Sequence, residues 1–247
     1  MSSTAVIGGT GLNQLAGLEL IRAHSPETPF GEPSAPVQEG RLAGNSVFFL
    51  PRHGTRHHLP PHKINYRANL WALRELGVER VVAVNAVGGI HAALGPGALV
   101  VPDQIIDYTW GREQSLYDGS GAALDHIDFT RPYTAGLRAK LLQAAASCNI
   151  PCADGATYGA TQGPRLETAA EVQRLLRDGC DLVGMTGMPE AALAVELGLA
   201  YAAICLVVNT AAGLSDEPIT QQGMAVILEQ KIATIGEILA RFLQLPP

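Results

Sequence analysis

The sequence predicts an α/β fold built on one central β-sheet. Short apolar runs rich in Val and Ile alternate along the chain with segments that repeat Leu or Ile at helical spacing. The chain of 247 residues is 47% hydrophobic and 16% charged, which is typical of a globular protein with a large core. Because no repeat or low-complexity linker divides it, we expect residues 1–247 to form a single domain.

The apolar runs predict strands that end at glycine, proline or polar residues. The predicted strands are residues 5–7, 47–50, 81–84, 99–106 (broken by Pro102), 156–161, 182–185 and 200–208. Helical spacing of apolar residues, several with a glycine at the carboxyl end, predicts helices over residues 67–76, 137–145, 168–178, 189–198 and 227–242. Polar or glycine-rich residues follow several strands. In α/β folds such residues gather outside the strand ends, so we expect a ligand pocket there.

Charge and cysteine content exclude several classes of function. The formal net charge is −6 and no long basic run is present, so no nucleic-acid partner is expected. The longest apolar stretch, residues 81–101, contains Asn85, His91, Pro96 and four glycines, which makes it a poor membrane span. The first residues lack the pattern of a signal peptide and the four cysteines fit reduced thiols, so we expect a cytoplasmic protein.

Two segments that follow predicted strands carry groups suited to an anion. Residues 8–11, Gly-Gly-Thr-Gly, could bring backbone N–H groups close to a phosphate, although a plain tight turn is the simpler explanation of this segment alone. Residues 51–58 contain two arginines and three histidines, and arginine offers a planar set of donors that fits phosphate. No cysteine or carboxylate lies among these histidines, so we expect no metal.

Two asparagines and a glutamate are candidates for contacts with a sugar or a base. Asn85 and Asn209 come directly after predicted strands, and Glu167 follows the breaker Gly163-Pro164. A buried amide without a partner costs about 1–3 kcal/mol, so each asparagine should have a ligand or a local turn partner. An amide and a carboxylate could together read the polar edge of a base, but their spacing alone does not establish this role.

Several ordered motifs together resemble the trimeric nucleoside phosphorylases, and methylthioadenosine phosphorylase in particular. The similarity covers nearly the whole chain. The motifs that carry it are Ile7-Gly8-Gly9-Thr10-Gly11, Arg52-His53-Gly54, His57, Pro61, Lys63, Asn65-Tyr66, Ala68-Asn69, Trp71-Ala72-Leu73, Gln114-Ser115-Leu116-Tyr117-Asp118-Gly119, Gly163-Pro164-Arg165 and Met188-Pro189-Glu190. The resemblance implies a mixed, twisted and partly barrel-like sheet flanked by helices, in a homotrimer or a dimer of trimers.

The resemblance also implies which residues would support phosphorolysis of a purine nucleoside, with inorganic phosphate as co-substrate and without a metal or another cofactor. The residues implied to hold phosphate are Thr10, Arg52, His53, Asn85, Ala86 and Thr186. The residues implied to hold the nucleoside are Met185 on the ribose face, Leu166, Glu167 and Asn209 at the purine, and His57 and Met224. His126 is implied to reach the site of a neighbouring subunit.

Departures from the family pattern indicate the base. Members that resemble this chain but act on adenosine-type nucleosides carry Asp at the positions of Asn209 and Ala211. An ionised Asp offers no donor to a 6-oxo group, whereas the Asn amide can donate to it. Glu167 matches a purine-contacting Glu of inosine/guanosine phosphorylases and can accept from the N1–H of a 6-oxopurine. Leu166 stands where relatives have Phe, so aromatic stacking on the base is lost.

The sugar end indicates a methylthio group instead of a 5′-hydroxyl. Residues 219–227 lack the His that inosine/guanosine phosphorylases place there, and they offer Met224 and Val226. We therefore expect phosphorolysis of S-methyl-5′-thioinosine to hypoxanthine and 5-methylthioribose 1-phosphate, with Asn209 and Glu167 as the catalytic pair. An inosine/guanosine phosphorylase, a methylthioadenosine phosphorylase, a hydrolase and a non-catalytic nucleoside sensor are the alternatives.

Overall fold

The computed structural model describes residues 3–10, 12, 16–119 and 124–246. Within these residues, eleven strands form one mixed sheet that five α-helices flank. The strands are β1 Thr4–Gly8, β2 Glu19–His24, β3 Val37–Leu42, β4 Asn45–Pro51, β5 Arg80–Gly89, β6 Leu99–Val101, β7 Gln104–Asp107, β8 Ala153–Asp154, β9 Thr157–Ala160, β10 Leu182–Gly184 and β11 Ala200–Thr210. The helices are α1 Tyr66–Glu75, α2 Ala135–Ser147, α3 Ala169–Arg177, α4 Gly187–Glu196 and α5 Gln221–Gln244.

Strand β5 is the centre of the sheet because it pairs with three other strands. It pairs in parallel with β1 and β11, and its last residues, Gly88 and Gly89, pair antiparallel with β10. One path through the sheet runs β2-β3-β4-β1-β5-β10-β9-β7, and a branch continues from β5 through β11 and β6 to β8. The predicted mixed sheet is therefore confirmed, and the ladder of described strands does not close into a full barrel.

Both faces of the central strands are buried, and each face packs against its own pair of helices. Val81 and Ala83 of β5 belong to one apolar cluster, whereas Val82 and Val84 belong to the other. Helices α1 and α4 supply the first cluster, and α2 and α5 supply the second. Strands with two buried faces are continuous apolar runs, and this is why β5 and β11 are the clearest strands in the sequence.

Every predicted strand is present, but the sequence does not predict β2, β3 or β8. The run 99–106 divides at Pro102 into β6 and β7. Strand β2 lies at an edge of the sheet with nearly all of its side chains exposed, and β3 includes the charged residues Glu39 and Arg41. Neither strand shows a clean apolar alternation, and β8 has only two residues.

Strands β5 and β11 extend further than predicted and include two of the candidate residues. Strands β5 and β11 stay paired up to Gly89 and Thr210, with an irregularity in register between Val207 and Asn209. The expectation that Asn85 and Asn209 follow their strands is therefore wrong, because both lie within the extended β5–β11 ladder. Their backbone groups belong to the sheet, which fixes the position of each side chain more firmly than a loop would.

Helices α1, α2, α4 and α5 begin earlier than predicted, α1 by one residue, α2 and α4 by two and α5 by six. Helix α5 starts at Gln221 instead of residue 227, and the hydroxyl of Thr220 caps it by accepting from the backbone N–H of Gly223. Helix α4 is assigned from Gly187 rather than Pro189, although Met188 is extended. None of the helices in the described part of the chain is both long and apolar enough to cross a lipid bilayer.

Candidate active site

A cavity of about 430 Å³ lies where β1, β4, β5, β10 and β11 end. Parallel pairing of β4, β1, β5 and β11 brings their carboxyl ends to one edge of the sheet. All of the predicted site residues except Asn85 and His126 line this cavity. The predicted residues that line it are Thr10, Arg52, His53, His57, Ala86, Leu166, Glu167, Met185, Thr186, Asn209 and Met224. Their convergence supports the predicted pocket, while their contacts with a ligand stay predictions.

Gly9 is needed where β1 ends because its backbone passes very close to two other groups. A Cβ atom on Gly9 would lie 2.5 Å from the carbonyl oxygen of Val84 and 2.9 Å from Nη1 of Arg52. A side chain there would displace either β5 or the guanidinium. Close packing therefore requires glycine at this position, and a tight turn alone does not explain it. Thr10 follows with an exposed side chain at the cavity, and Gly11 lies outside the described residues.

The charge of Arg52 is already paired inside the protein. Its Nε and Nη2 atoms donate to the two carboxylate oxygens of Glu190 at 2.6 and 2.8 Å, and Nη1 donates to the carbonyl of Val84 at 3.0 Å. Both charged side chains are fully buried, and the hydroxyl of Tyr201 adds a bond to Glu190 at 2.9 Å. Burial alone would lower the pKa of Arg52, but the Glu190 carboxylate outweighs it and raises that pKa.

The Arg52–Glu190 pair leaves the guanidinium fixed and only partly available. A guanidinium has five N–H donors, and three of them point to Glu190 and Val84. The remaining two donors belong to Nη1 and Nη2; Arg52 is one of the residues around the cavity, but its side chain is fully buried. Glu190 belongs to a family motif but has no predicted role, because its importance depends on a contact between residues 138 positions apart.

His53 is held as a neutral imidazole. Its Nδ1 lies 2.8 Å from the carbonyl oxygen of Leu59, so Nδ1 carries the proton and Nε2 is an acceptor. Burial, followed by the nearby charge of Arg52, lowers the pKa of His53 to about 4. The ring of His57 lies 4.5 Å from that of His53, and burial lowers its pKa as well. The two histidines therefore add no net charge to the cavity at neutral pH.

The neutral state of His53 predicts how stability depends on pH. The pKa of His53 is about 4 in the folded protein and 6.5 when exposed, so the unfolded chain binds more protons between these values. Stability should fall as the pH drops through this window, with a contribution from His53 of up to about 3 kcal/mol near pH 4. The variant His53→Asn, which can still donate to Leu59, should lose less unfolding free energy over the same pH range, as measured by urea unfolding at each pH. An equal loss in the two proteins would contradict the neutral state of His53.

Asn85 lies behind the cavity wall instead of lining it. Its Nδ2 donates to the hydroxyl oxygen of Thr186 at 2.8 Å, and only 2% of Asn85 is exposed. The Asn85 Oδ1 atom is buried and has no hydrogen-bond partner among the described residues. Because Thr186 accepts this bond, its own hydroxyl hydrogen is free to point elsewhere. The predicted contact of Asn85 with phosphate remains a prediction, and the geometry favours an effect through Thr186.

A carboxylate and an amide also line the cavity. Oε1 of Glu167 accepts a 2.6 Å hydrogen bond from the hydroxyl of Thr161, which fixes that oxygen. The Nδ2 atom of Asn209 donates to the carbonyl of its neighbour Thr210 at 2.7 Å. Each side chain keeps further hydrogen-bonding capacity, since the second Glu167 oxygen can accept and an amide NH₂ carries two hydrogens. Ala211, in contrast, is buried and does not line the cavity.

The remaining lining residues are mostly apolar, and we call six of them the apolar wall. These six are Pro61, Met185, Ile219, Met224, Ala225 and Leu228. A Cβ atom on Gly163, which has a φ of +59°, would collide with the sulfur of Met185, so Gly163 lets the methionine pack there. The exception is Gln221, whose exposed side chain also borders the cavity at the first turn of α5. Gln221 is not among the predicted site residues because the start of α5 is predicted too late.

His126 is the second predicted site residue that does not line the cavity. His126 is exposed and lies outside this cavity of the single chain, so its implied contact with a neighbouring subunit stays a prediction. Among the described residues, no group of three or more His, Cys, Asp or Glu side chains could hold a metal ion. The four cysteines are free thiols.

The mixed sheet and the cavity at its strand ends define a nucleoside phosphorylase fold, and the chain belongs to the phosphorylase superfamily, whose family model matches residues 3–244. It is 51% identical to a probable S-methyl-5′-thioinosine phosphorylase of Pseudomonas syringae pv. tomato, over 98% of this chain and 99% of that protein. It is also 41% identical to the 6-oxopurine nucleoside phosphorylase of Pyrococcus furiosus, over 100% of this chain and 94% of that protein.

A solved structure with the same fold agrees with this assignment. Methylthioadenosine phosphorylase from Schistosoma mansoni, in complex with adenine, superposes with a TM-score of 0.94. The two proteins are 32% identical, and the superposition covers 99% of this chain and 91% of the other. The family resemblance predicted from the sequence motifs is therefore confirmed.

Proposed function

We propose that this protein cleaves S-methyl-5′-thioinosine with inorganic phosphate, giving hypoxanthine and 5-methylthioribose 1-phosphate. The observation that carries the proposal is the make-up of one cavity. Glu167 and Asn209 line it together with Arg52, His53 and Thr186, and an apolar wall that includes Met224 completes it. A site with groups for a base, an anion and an apolar sugar substituent fits this substrate in all three of its parts.

Phosphate would bind at the end of the cavity that Thr10, Arg52, His53 and Thr186 form. Thr186 precedes the start of α4, which the extended Met188 interrupts, and backbone N–H groups near a helix start favour an anion. Arg52 would contribute its remaining donors, and the Thr186 hydroxyl its free hydrogen. The Nε2 atom of neutral His53 can accept the hydrogen of a protonated phosphate oxygen. The site would thus orient phosphate by directed hydrogen bonds as well as by charge.

The purine would bind at Glu167 and Asn209. As the glycosidic bond breaks, the ribosyl carbon becomes cationic and the purine gathers negative charge. The Asn209 amide can donate to O6 or N7 of the departing base, while Glu167 can accept from N1–H. Both contacts suit a 6-oxopurine, because a neutral adenine has no N1–H. The reaction needs no covalent enzyme nucleophile, and we propose that it uses neither a metal nor another cofactor.

The apolar wall would hold the 5′-methylthio group. Met224, Ile219 and Leu228 offer a thioether and branched carbon groups that suit a methylthio substituent. A 5′-hydroxyl in the same place would lose hydrogen bonds to water without replacing them. Gln221 gives a second candidate some support, since its amide could reach a hydroxyl. We therefore keep a 6-oxopurine nucleoside such as inosine as the second candidate substrate.

We also infer a homotrimer in the cytoplasm. The exposed position of His126, outside the cavity of its own chain, supports a role in completing the site of a neighbouring subunit. The four free thiols support a reducing compartment.

A panel of nucleosides tests the proposal. We expect kcat/KM for methylthioinosine to exceed that for methylthioadenosine by about 10²–10⁴, because a site built to hydrogen-bond one edge rejects the other strongly. We expect inosine to be slower than methylthioinosine. No product should form without phosphate, and release of base by water alone would indicate a hydrolase instead. Equal values for methylthioinosine and methylthioadenosine would refute the base assignment.

A further inference from the structure

The half-buried Arg112 joins two loops that both carry residues lining the cavity. We call residues 161–167, which include Glu167, the base loop, and residues 185–188, which include Thr186, the phosphate loop. In the base loop, Arg112 Nη2 donates to the carbonyls of Thr161 at 3.2 Å and Gln162 at 2.8 Å. In the phosphate loop, Nη1 donates to the carbonyls of Met185 at 2.8 Å and Met188 at 2.7 Å.

These contacts use the whole guanidinium. The remaining donor, Nε, bonds to the side-chain oxygen of Gln162 at 3.2 Å, and Nη1 also lies 3.4 Å from the hydroxyl of Tyr66. Arg112 forms no ion pair with a described carboxylate, so it holds its neighbours through hydrogen bonds to neutral acceptors. A planar fork with five N–H groups can satisfy this set, whereas the three donors of a lysine cannot.

The two loops need such a connection because their backbones must stay in a fixed relation. The base loop ends in Glu167, and the phosphate loop presents Thr186 at the start of α4. Phosphorolysis requires the attacking phosphate oxygen to meet the ribosyl carbon while the base is held. A misplacement of about 1 Å in such an arrangement can reduce the rate about 100-fold.

We propose that Arg112 is a positioning residue that sets the base loop and the phosphate loop in register, so that nucleoside and phosphate are aligned for reaction. It acts through backbone carbonyls and does not itself line the cavity. The inference rests on the proposed phosphorolysis, because alignment matters only when two substrates must meet. Each half of the site can still bind its own ligand when the register is relaxed, so the loss should fall on the chemical step.

The test compares Arg112→Lys with wild type in steady-state kinetics. We expect kcat to fall about 100-fold, while KM for phosphate and for methylthioinosine each changes less than about threefold. Calorimetric titration with hypoxanthine and with phosphate should give dissociation constants close to those of wild type. In Arg112→Ala, added guanidinium ion at a concentration that does not unfold the protein should restore part of kcat.

Arg138→Ala is the matched control. Arg138 also donates to two backbone carbonyls, those of Val101 and Pro102, and bonds to Asp154, but it does not line the cavity or touch either loop. We expect this variant to keep its kcat and to be unaffected by guanidinium. A fall in melting temperature shared by both Ala variants would therefore not account for a kcat loss seen only at Arg112.

Three outcomes are decisive. If Arg112→Lys keeps kcat within about threefold of wild type, the positioning role is wrong. If ligand binding is lost in parallel with kcat and guanidinium restores nothing, Arg112 serves the fold only and the inference is also wrong. If wild type cleaves none of the nucleosides, the proposed function fails instead, which separates that failure from the failure of the Arg112 inference.

Discussion

Glu190→Gln should destabilise the protein by about 3–5 kcal/mol, because it removes one partner of a buried ion pair and leaves the Arg52 charge uncompensated. Glu190 and Arg52 are both fully buried and bond through two N–H···O contacts. The glutamine has nearly the same shape, so the loss would measure charge and hydrogen bonding instead of packing. The measurement is the free energy of unfolding in urea, and the m-value should be the same as in wild type.

Two further variants sharpen this test. The exposed Glu113 pairs at 3.1 Å with Arg67, whose side chain is largely buried; because Glu113 itself is in water, Glu113→Gln should cost only about 1 kcal/mol or less. The double variant Arg52→Met with Glu190→Leu should cost less than Glu190→Gln alone, since no buried charge remains. A loss below about 1 kcal/mol for Glu190→Gln would show that the buried pair is not needed to offset the charge of Arg52.

Asn209→Asp should move the substrate preference from the 6-oxopurine toward the 6-aminopurine. An ionised Asp cannot donate to O6 and would repel it, but it can accept from a 6-amino group. We expect the ratio of kcat/KM for methylthioinosine to that for methylthioadenosine to fall by about 10²–10³. The matched control is Asn45→Asp, a half-buried amide in the β3–β4 hairpin far along the chain from the cavity residues, which should leave the ratio unchanged.

The same preference measured before and after Asn209→Asp would contradict recognition of the base edge by this residue. Ala211, the other position that differs from the adenosine-type pattern, is only 2% exposed and lies outside the cavity wall. An aspartate at that position would bury a carboxylate away from water, which is costly without a partner. We therefore expect Asn209 to carry most of the change in specificity.

The sequence predicts the fold where its pattern reflects burial on both sheet faces. Strands β5 and β11 are nearly continuous apolar runs, and the residues at their ends identify the position of the pocket. Strand β2 is exposed along its length, so it leaves no such pattern and is missed. The family motifs identify Thr10, Arg52, His53 and His57 of the cavity lining, which follow the ends of β1 and β4.

The sequence does not reveal contacts that arise only when distant segments meet. Glu190 is a residue of a family motif, but its pairing with Arg52 depends on how α4 packs beneath the end of β4. Arg112 lies in a segment without periodic structure, and its partners come from two loops that are brought together by β9 and β10. The sequence makes Asn85 a candidate to contact a ligand. In the structure β5 continues past it, and its side chain bonds to Thr186 instead of lining the cavity.

A crystal structure with hypoxanthine and phosphate bound would test the base assignment most directly. We predict that an oxygen of Glu167 lies about 2.6–3.2 Å from N1 of the base, with the amide of Asn209 facing O6 or N7 and phosphate beside Thr186 and His53. If both Glu167 and Asn209 point away from the heterocycle, the assignment of a 6-oxopurine substrate is wrong, even though the chain keeps its place in the family.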